Sequence, residues 1–377
     1  MSTIETVEFY DHLLEKGVEL FAGVPDSLLK DLCACIYDRT PREANIVAAN
    51  EGNAVGIAVG YHVATGKYAA VYLQNSGLGN IVNPVASLAH PDVYGVPMLL
   101  IIGWRGEPGV KDEPQHVAQG RLTPAMLDSL EVPYTVLDAE GWQGQVDDAL
   151  ALMQAENKPV ALVVRKGLFS KYSFTQENPK PEITLSREEA LAEVLEAIGS
   201  DAFVVSTTGK TSREVFELRE SRGEGHAHDF LTVGGMGHSS SIAMGAALGT
   251  EELVYCIDGD GGFLMHMGSA PVIAQRARDN FRYILINNGA HESVGGQPTV
   301  AFDIDIPAIL RGSGFEHVEL VSEASSIPSA LERIAAKPRS ALIIETAQGS
   351  RDDLGRPTVS PSENKVAMLE AFAESRN

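Results

Sequence analysis

The sequence predicts an α/β protein with two doubly wound parallel-sheet domains. Short apolar runs alternate with stretches of helical pattern along both halves, as in a parallel sheet covered on both faces. The runs end in turns rich in Gly, Asn, Asp and Ser, where an open parallel sheet binds its ligands. A polar stretch with Pro179 and Pro181 interrupts the alternation. It sets the expected domains at 1–172 and 186–377, with a linker at 173–185.

In the first half, residues 6–16 have a helical pattern and 19–23 form a short strand. The turn Gly23-Val24-Pro25-Asp26-Ser27 leads into a helix over 28–37. Asp26 or Ser27 either caps that helix or, from a strand's carboxyl end, faces a substrate. A strand at 45–49 precedes Asn50-Glu51-Gly52-Asn53 and a helix over 54–64. Glu51 either stabilises the helix dipole or serves as a catalytic carboxylate. A strand at 67–74 runs into Asn75-Ser76-Gly77, and a helix follows over 81–89.

The strand at 97–103 opens an irregular loop, 104–116, with two prolines and two glycines. Long irregular loops in compact domains are either functional or disordered, and this one leaves the active end of a strand. Arg105, Lys111, His116 and Arg121 offer local positive charge there, and an Arg fork suits a phosphonate, sulfonate or carboxylate. A helix over 121–130, a strand at 134–137, a helix over 143–155 and a strand at 159–164 complete the half.

The second half opens with a capping box, Ser186 and Glu189, on a helix over 187–198. A strand at 202–206 leads to Thr208, Gly209 and Lys210 and a helix over 211–219. Lys210 and Arg213 either hold phosphate or are solvated cations at a helix start. A short strand at 230–233 precedes Gly234-Gly235-Met236-Gly237-His238. This glycine-rich turn into a helix over 241–248 is an anion site.

The centre of this half is a strand at 253–257 with Gly259-Asp260-Gly261-Gly262 at its tip. A helix over 263–277, a strand at 283–286 and Asn287-Asn288-Gly289-Ala290 follow. Asp260 and Asn288 then face one crevice. One carboxylate, one amide oxygen and the carbonyl of Ala290 are too few for a calcium cage. They suit Mg²⁺, which takes its remaining oxygens from water and ligand phosphates. The glycines let the backbone approach a phosphate. Two rival motifs fail: a dinucleotide fingerprint needs glycine where Leu264 stands, and a P-loop needs it at Val204. Helices near 306 and over 328–335, with strands at 318–321 and 341–345, finish the domain.

Composition excludes several classes. Hydrophobic content of 44% with 21% charged residues fits a globular protein, and no apolar run approaches a membrane span. A net charge of −22 argues against nucleic acid or anionic membranes as partners. Acids at the N-terminus do not fit a signal peptide. Cys33, Cys35 and Cys256 show no metal or redox spacing, so reduced thiols in a cytoplasmic protein are expected.

Gly259-Asp260-Gly261 followed by Asn287-Asn288 resembles the diphosphate-anchoring motif of thiamine diphosphate enzymes, and Glu51-Gly52-Asn53-Ala54 resembles their glutamate. Gly23 to Ser27, Gln74 to Asn80, 103–120 and Asn287 to Pro298 are together similar to the phosphonopyruvate decarboxylase family, with sulfopyruvate decarboxylases nearest by type.

The resemblance implies a pyrimidine-binding first domain, a diphosphate- and Mg²⁺-binding second domain and no middle domain. It implies thiamine diphosphate as cofactor. Glu51 would act on the aminopyrimidine, and Met236 would hold the cofactor bent. Thr208, Gly209, Gly235, Gly237, His238, Gly262 and Ala290 would be further cofactor contacts. His291 and Glu292 would lie over the thiazolium as catalytic candidates, His291 being either structural or an acid–base group. It implies a 2-keto acid substrate with a second anionic group, with Asp26, Ser27, Asn75, Ser76 and the cations of 104–121 as candidate contacts. It implies a homo-oligomer, at least a dimer, with sites between chains. No histidine stands at the 74–76 turn, so the first-domain histidine of larger decarboxylases has no counterpart there.

Overall fold

The computed structural model describes residues 2–175 and 182–376, so the linker prolines Pro179 and Pro181 lie outside the described residues. The chain forms two compact units, Met1–Asn178 with Ser293–Gln297 and Pro179–Glu292 with Pro298–Asn377.

The first unit runs α1 (Thr6–Glu15), β1 (Val18–Gly23), α2 (Lys30–Arg39), β2 (Asn45–Val47), α3 (Glu51–Thr65), β3 (Tyr68–Gln74) and α4 (Leu78–Pro84). It continues through β4 (Leu99–Gly103), α5 (Pro114–Ser129), β5 (Tyr134–Val136), α6 (Trp142–Glu156) and β6 (Val160–Val164). Its sheet has the order β2-β1-β3-β4-β6-β5, parallel throughout. Residues alternate between two buried faces: Leu99 and Ile101 pack on one side, Leu100 and Ile102 on the other. Such strands read as continuous apolar runs because both faces are covered. The chain leaves β1 in one direction to β2 and returns on the other side to β3. The carboxyl ends of β1 and β3 therefore border the switch point where doubly wound folds bind ligands.

The second unit repeats the plan. It runs α7 (Arg187–Ile198), β7 (Phe203–Ser206), α8 (Lys210–Ser221), β8 (Asp229–Leu231), α9 (Ser239–Leu248), β9 (Val254–Gly259), α10 (Asp260–Met265), α11 (Ser269–Arg276) and β10 (Phe281–Asn287). It ends with α12 (Ile306–Ser313), β11 (His317–Val321), α13 (Ile327–Ala335), β12 (Ser340–Glu345) and α14 (Pro361–Glu374). The sheet order is β11-β12-β10-β9-β7-β8, again all parallel. The switch point lies between β7 and β9. Ala341 and Ile343 of β12 face one core, Leu342 and Ile344 the other.

Three local expectations are corrected, and one helix is added. The helix expected over 263–277 is two helices, because His266 leaves α10 with φ −132° and its ring packs 4.5 Å from that of His238. The irregular loop after β4 ends at Glu113, since Pro114 starts α5 with its φ already suited to a first turn. Neither Asp26 nor Ser27 caps α2: Leu29 holds that position, and no side chain caps the helix. The terminal helix α14 was not expected, although Ser360 and Glu363 form a complete capping box at its start.

Candidate active site

In the first unit, four strand ends converge. Asn50 caps α3, its Oδ1 accepting the Asn53 N–H at 3.0 Å, so Glu51 at the first helical position is not needed as a cap. The Glu51 carboxylate is instead buried, and its Oε2 accepts from Asn80 Nδ2 at 2.6 Å. It lies against Gly77, where any Cβ would collide with Glu51 Oε1. After β3, Asn75 is fully buried: its Nδ2 donates to the Arg105 carbonyl at 2.8 Å and to Thr123 Oγ1 at 2.9 Å. Its Oδ1 accepts the Arg105 N–H at 3.1 Å. Asn75 thus ties the β3 turn to the β4 turn. Ser76, exposed, accepts from Gln74 Nε2 at 2.7 Å.

Arg105 is the organised cation of this unit. Its Nε and Nη2 donate to Asp112 at 2.8 and 2.5 Å, and Nη1 donates to Ser27 Oγ at 2.8 Å. A guanidinium has five N–H groups, so two remain for a ligand. Asp112 is locked as well, accepting the N–H groups of Gly106 and Glu113. Despite burial, those bonds and Arg105 hold its pKa well below the carboxylate range. Lys111 and Arg121 are exposed, whereas His116 is buried in the first turn of α5 against Gly106. The four cationic candidates are therefore not one cluster: only Arg105 is fixed beside Ser27 and Asp26.

Asp26 is fully buried. Its Oδ2 accepts the Leu28 N–H at 3.1 Å and its Oδ1 has no partner. Only glycine fits at 103, because a Cβ there would strike Asp26 Oδ2. Burial pushes the Asp26 pKa from 3.8 up to about 6, against backbone N–H groups and Arg105, which pull it down. The native carboxyl therefore keeps its proton to higher pH than the unfolded chain does. Stability from this group is full below about pH 4 and is lost as pH rises to about 6, on the order of 3 kcal/mol. Asp26→Asn should thus be more stable than the parent at pH 7.5 in urea unfolding, and the gap should close near pH 4.5. An equal difference at both pH values would contradict this.

In the second unit, the ends of β7, β8, β9 and β10 converge likewise. Thr208 Oγ1 donates to the Val233 carbonyl at 2.9 Å, joining the β7 and β8 turns. Gly209, Gly235 and Gly237 have φ of +96°, +69° and +81°, open to glycine and strained for other residues. A Cβ on Gly237 would lie 2.5 Å from His266 Cδ2 and 3.1 Å from the Gly262 carbonyl, so the β8 turn seats directly on the β9 turn. His238 Nδ1 lies 3.1 Å from both the Gly235 and Met236 carbonyls. Around Gly261, the Met236 methyl and the His291 imidazole both lie 3.0 Å from where a Cβ would stand. Burial lowers the His291 pKa to about 4, so this ring is neutral at pH 7.

The two acids of Asp258-Gly259-Asp260 differ sharply. Asp258 is spent in the core, accepting from Tyr283 Oη at 3.1 Å and the Gly259 N–H at 2.9 Å. Asp260 is buried at the mouth and accepts from Thr299 Oγ1 at 2.5 Å. Burial raises its pKa to about 6, against the Thr299 hydrogen bond, which pulls it down. Asn288 Oδ1 accepts the Ala290 N–H at 3.2 Å, and its Nδ2 donates to Glu292 at 2.9 Å. Glu292 lies between Arg187 at 2.6 Å and Lys210 at 2.8 Å. Burial would raise its pKa, but the two cations hold it below the ordinary value.

The sequence reading missed Asp112, Thr299, Asn80 and the Arg187–Glu214 pair. Asn80 and Asp112 lie in the stretches 74–80 and 103–120 that carry the resemblance, and the capping box marks the location of Arg187, but none of these side chains was given a partner by the sequence.

Among the described residues no helix is long and apolar enough to cross a membrane. The family described as thiamine pyrophosphate enzyme, N-terminal TPP binding domain matches residues 8–129, and its C-terminal TPP binding domain counterpart matches 207–345. A phosphonopyruvate decarboxylase of Streptomyces hygroscopicus is 33% identical over 92% of this chain and 88% of its own length. A sulfopyruvate decarboxylase of Methanosarcina acetivorans is 26% identical over 85% of this chain and 86% of its own. The sulfopyruvate decarboxylase subunit beta of Methanococcus maripaludis is 28% identical over 50% of this chain and 98% of its own. The chain therefore belongs to the thiamine diphosphate-dependent decarboxylases, in the family of carboxy-lyases that contains the phosphonopyruvate decarboxylases.

Proposed function

We propose that this protein decarboxylates 3-phosphonopyruvate to phosphonoacetaldehyde and CO₂ with thiamine diphosphate and Mg²⁺, a step in making phosphonates. The observation that carries the reading is Arg105, clamped by Asp112 and Ser27 with two N–H groups left over, in a chain 33% identical to a phosphonopyruvate decarboxylase.

The second unit fits a metal-held diphosphate. Asp260 is a buried carboxylate at the tip of β9, and Asn288 and Ala290 follow the tip of the neighbouring β10. A set with one carboxylate and neutral oxygens suits Mg²⁺, which takes its remaining oxygens from water and ligand phosphates. Arg187 and Lys210 are already paired with carboxylates, which leaves the metal to balance the diphosphate charge. Asp260, Asn288 and Ala290 would hold the metal. The turns at Thr208–Gly209, Gly235–His238 and Gly259–Gly262 would receive the diphosphate, and Met236 would pack against the rings.

Thiamine diphosphate, when bound, supplies a nucleophilic carbon and a ring that takes up the electron pair left as CO₂ departs. Glu51 holds the proton at the aminopyrimidine ring nitrogen. Arg105, aided by Asp26, Ser27, Asn75 and Ser76, binds and orients the second anionic group. Neutral His291 stands over Gly261 as a proton-transfer group. The active form is a homo-oligomer of at least two chains.

The test compares CO₂ release from phosphonopyruvate, sulfopyruvate and pyruvate, in the parent and in Arg105→Met. The parent should favour phosphonopyruvate. The variant should lose about 10- to 100-fold in kcat/KM for the two dianionic acids, as expected for a charged hydrogen bond worth about 1.5–3 kcal/mol, and little for pyruvate. Equal losses on all three would remove Arg105 from the anion site. Preference for sulfopyruvate would replace the substrate and leave the cofactor site standing.

A further inference from the structure

The Asn288 amide is oriented from its nitrogen side. Its Nδ2 donates to Glu292 Oε2 at 2.9 Å while its Oδ1 accepts the Ala290 N–H at 3.2 Å. Glu292 is held in turn: Oε2 accepts from Arg187 Nη1 at 2.6 Å and Oε1 from Lys210 Nζ at 2.8 Å. Arg187 is fixed by Glu214 through bonds of 2.6 and 2.8 Å. The Arg187 and Glu214 side chains are 5% and 1% exposed, that of Glu292 12%.

A carboxylate between two cations only accepts. It admits the nitrogen of the Asn288 amide and rejects the oxygen. The flipped amide would set oxygen against carboxylate and NH₂ against the Ala290 N–H, losing both bonds. The acid therefore decides which way the amide oxygen faces. Arg187 and Lys210 stand at the first positions of α7 and α8, where the helix ends disfavour positive charge. Glu214 and Glu292 offset that cost, so the cations and acids hold one another in place.

We propose that Glu292 is a positioning residue for the metal, acting through Asn288, with Arg187, Glu214 and Lys210 as its support. This rests on the reading of Asp260, Asn288 and Ala290 as the Mg²⁺ ligands. It assigns Glu292 a different task from that of a catalytic group over the thiazolium.

The test is calorimetric titration of Mg²⁺ into thiamine diphosphate-saturated protein, with melting curves to establish that each variant is folded. Glu292→Ala should weaken Mg²⁺ binding about 10- to 100-fold, as loss of an outer-shell partner does. Glu292→Gln keeps an acceptor for Asn288 and should lose less. Asn288→Ala combined with Glu292→Ala should bind no more weakly than Asn288→Ala alone, since one acts through the other. Parent-like Mg²⁺ affinity in Glu292→Ala, with turnover lost, would overturn the proposal and return Glu292 to the substrate. Should that variant not fold, Lys210→Met carries the comparison: unchanged affinity there and in Glu292→Gln would overturn it equally. Parent-like affinity in Asn288→Ala would instead remove the ligand reading on which the proposal rests.

Discussion

Glu51→Gln is expected to lower turnover about 10²- to 10⁴-fold, the usual contribution of a positioned acid–base group, and to leave Mg²⁺ and cofactor binding intact. Gln has the shape of Glu, so the contact with Gly77 and the packing of α3 survive. Its carbonyl can still accept from Asn80 Nδ2, the 2.6 Å partner of Glu51. The other carboxylate oxygen becomes an NH₂ group, which cannot take or hold a proton at the cofactor's ring nitrogen. The defect should therefore appear in kcat while calorimetry of cofactor binding stays unchanged. Parent-like turnover would remove Glu51 from the reaction, whereas loss of cofactor binding would make it a binding residue.

Asp260→Ala should fail in the opposite way. Asp260 is the one carboxylate of the proposed ligand set, and it is buried. Removing it leaves two neutral oxygens for a divalent ion, so Mg²⁺ affinity should fall by more than the roughly 100-fold that outer-shell losses reach. Metal-dependent retention of thiamine diphosphate should go with it. Thr299 loses its acceptor, a cost of about 1 kcal/mol, so the domain should still fold and the defect should read as binding. Calorimetry of Mg²⁺ with the cofactor present decides this, and parent-like affinity would contradict the ligand set. Mixed under conditions of subunit exchange, the two inactive variants should regain activity if Glu51 and Asp260 of one site come from different chains. No recovery would contradict a shared site.

Much of the fold was legible because both sheets are buried on both faces. β4 carries Leu99–Ile102 and β12 carries Ala341–Ile344 as unbroken apolar runs, and such runs show in the sequence without partners. Asp260, Asn288 and Glu51 could be named as candidates for a different reason: Asp260 and Asn288 directly follow strands and Glu51 opens the helix after β2, so chain order alone puts each near a sheet's carboxyl end. Positions that depend on a distant partner were not legible. Arg105 could be named as a cation, but its clamp by Asp112 depends on how the intervening loop folds back. Glu292 meets Arg187 from 105 residues away, and no local pattern announces that pair. The break between α10 and α11 was hidden because His266 leaves the helix to pack on His238, a tertiary choice that overrides a continuous helical pattern. The start of α14 is marked in the sequence by its capping box, Ser360 with Glu363.

The measurement that bears most directly on the account is product formation from 3-phosphonopyruvate by protein stripped of metal and cofactor and then resupplied with each. The account predicts equal amounts of CO₂ and phosphonoacetaldehyde, only when thiamine diphosphate and Mg²⁺ are both present. Release of CO₂ without that aldehyde, or turnover of sulfopyruvate with none of phosphonopyruvate, would contradict it.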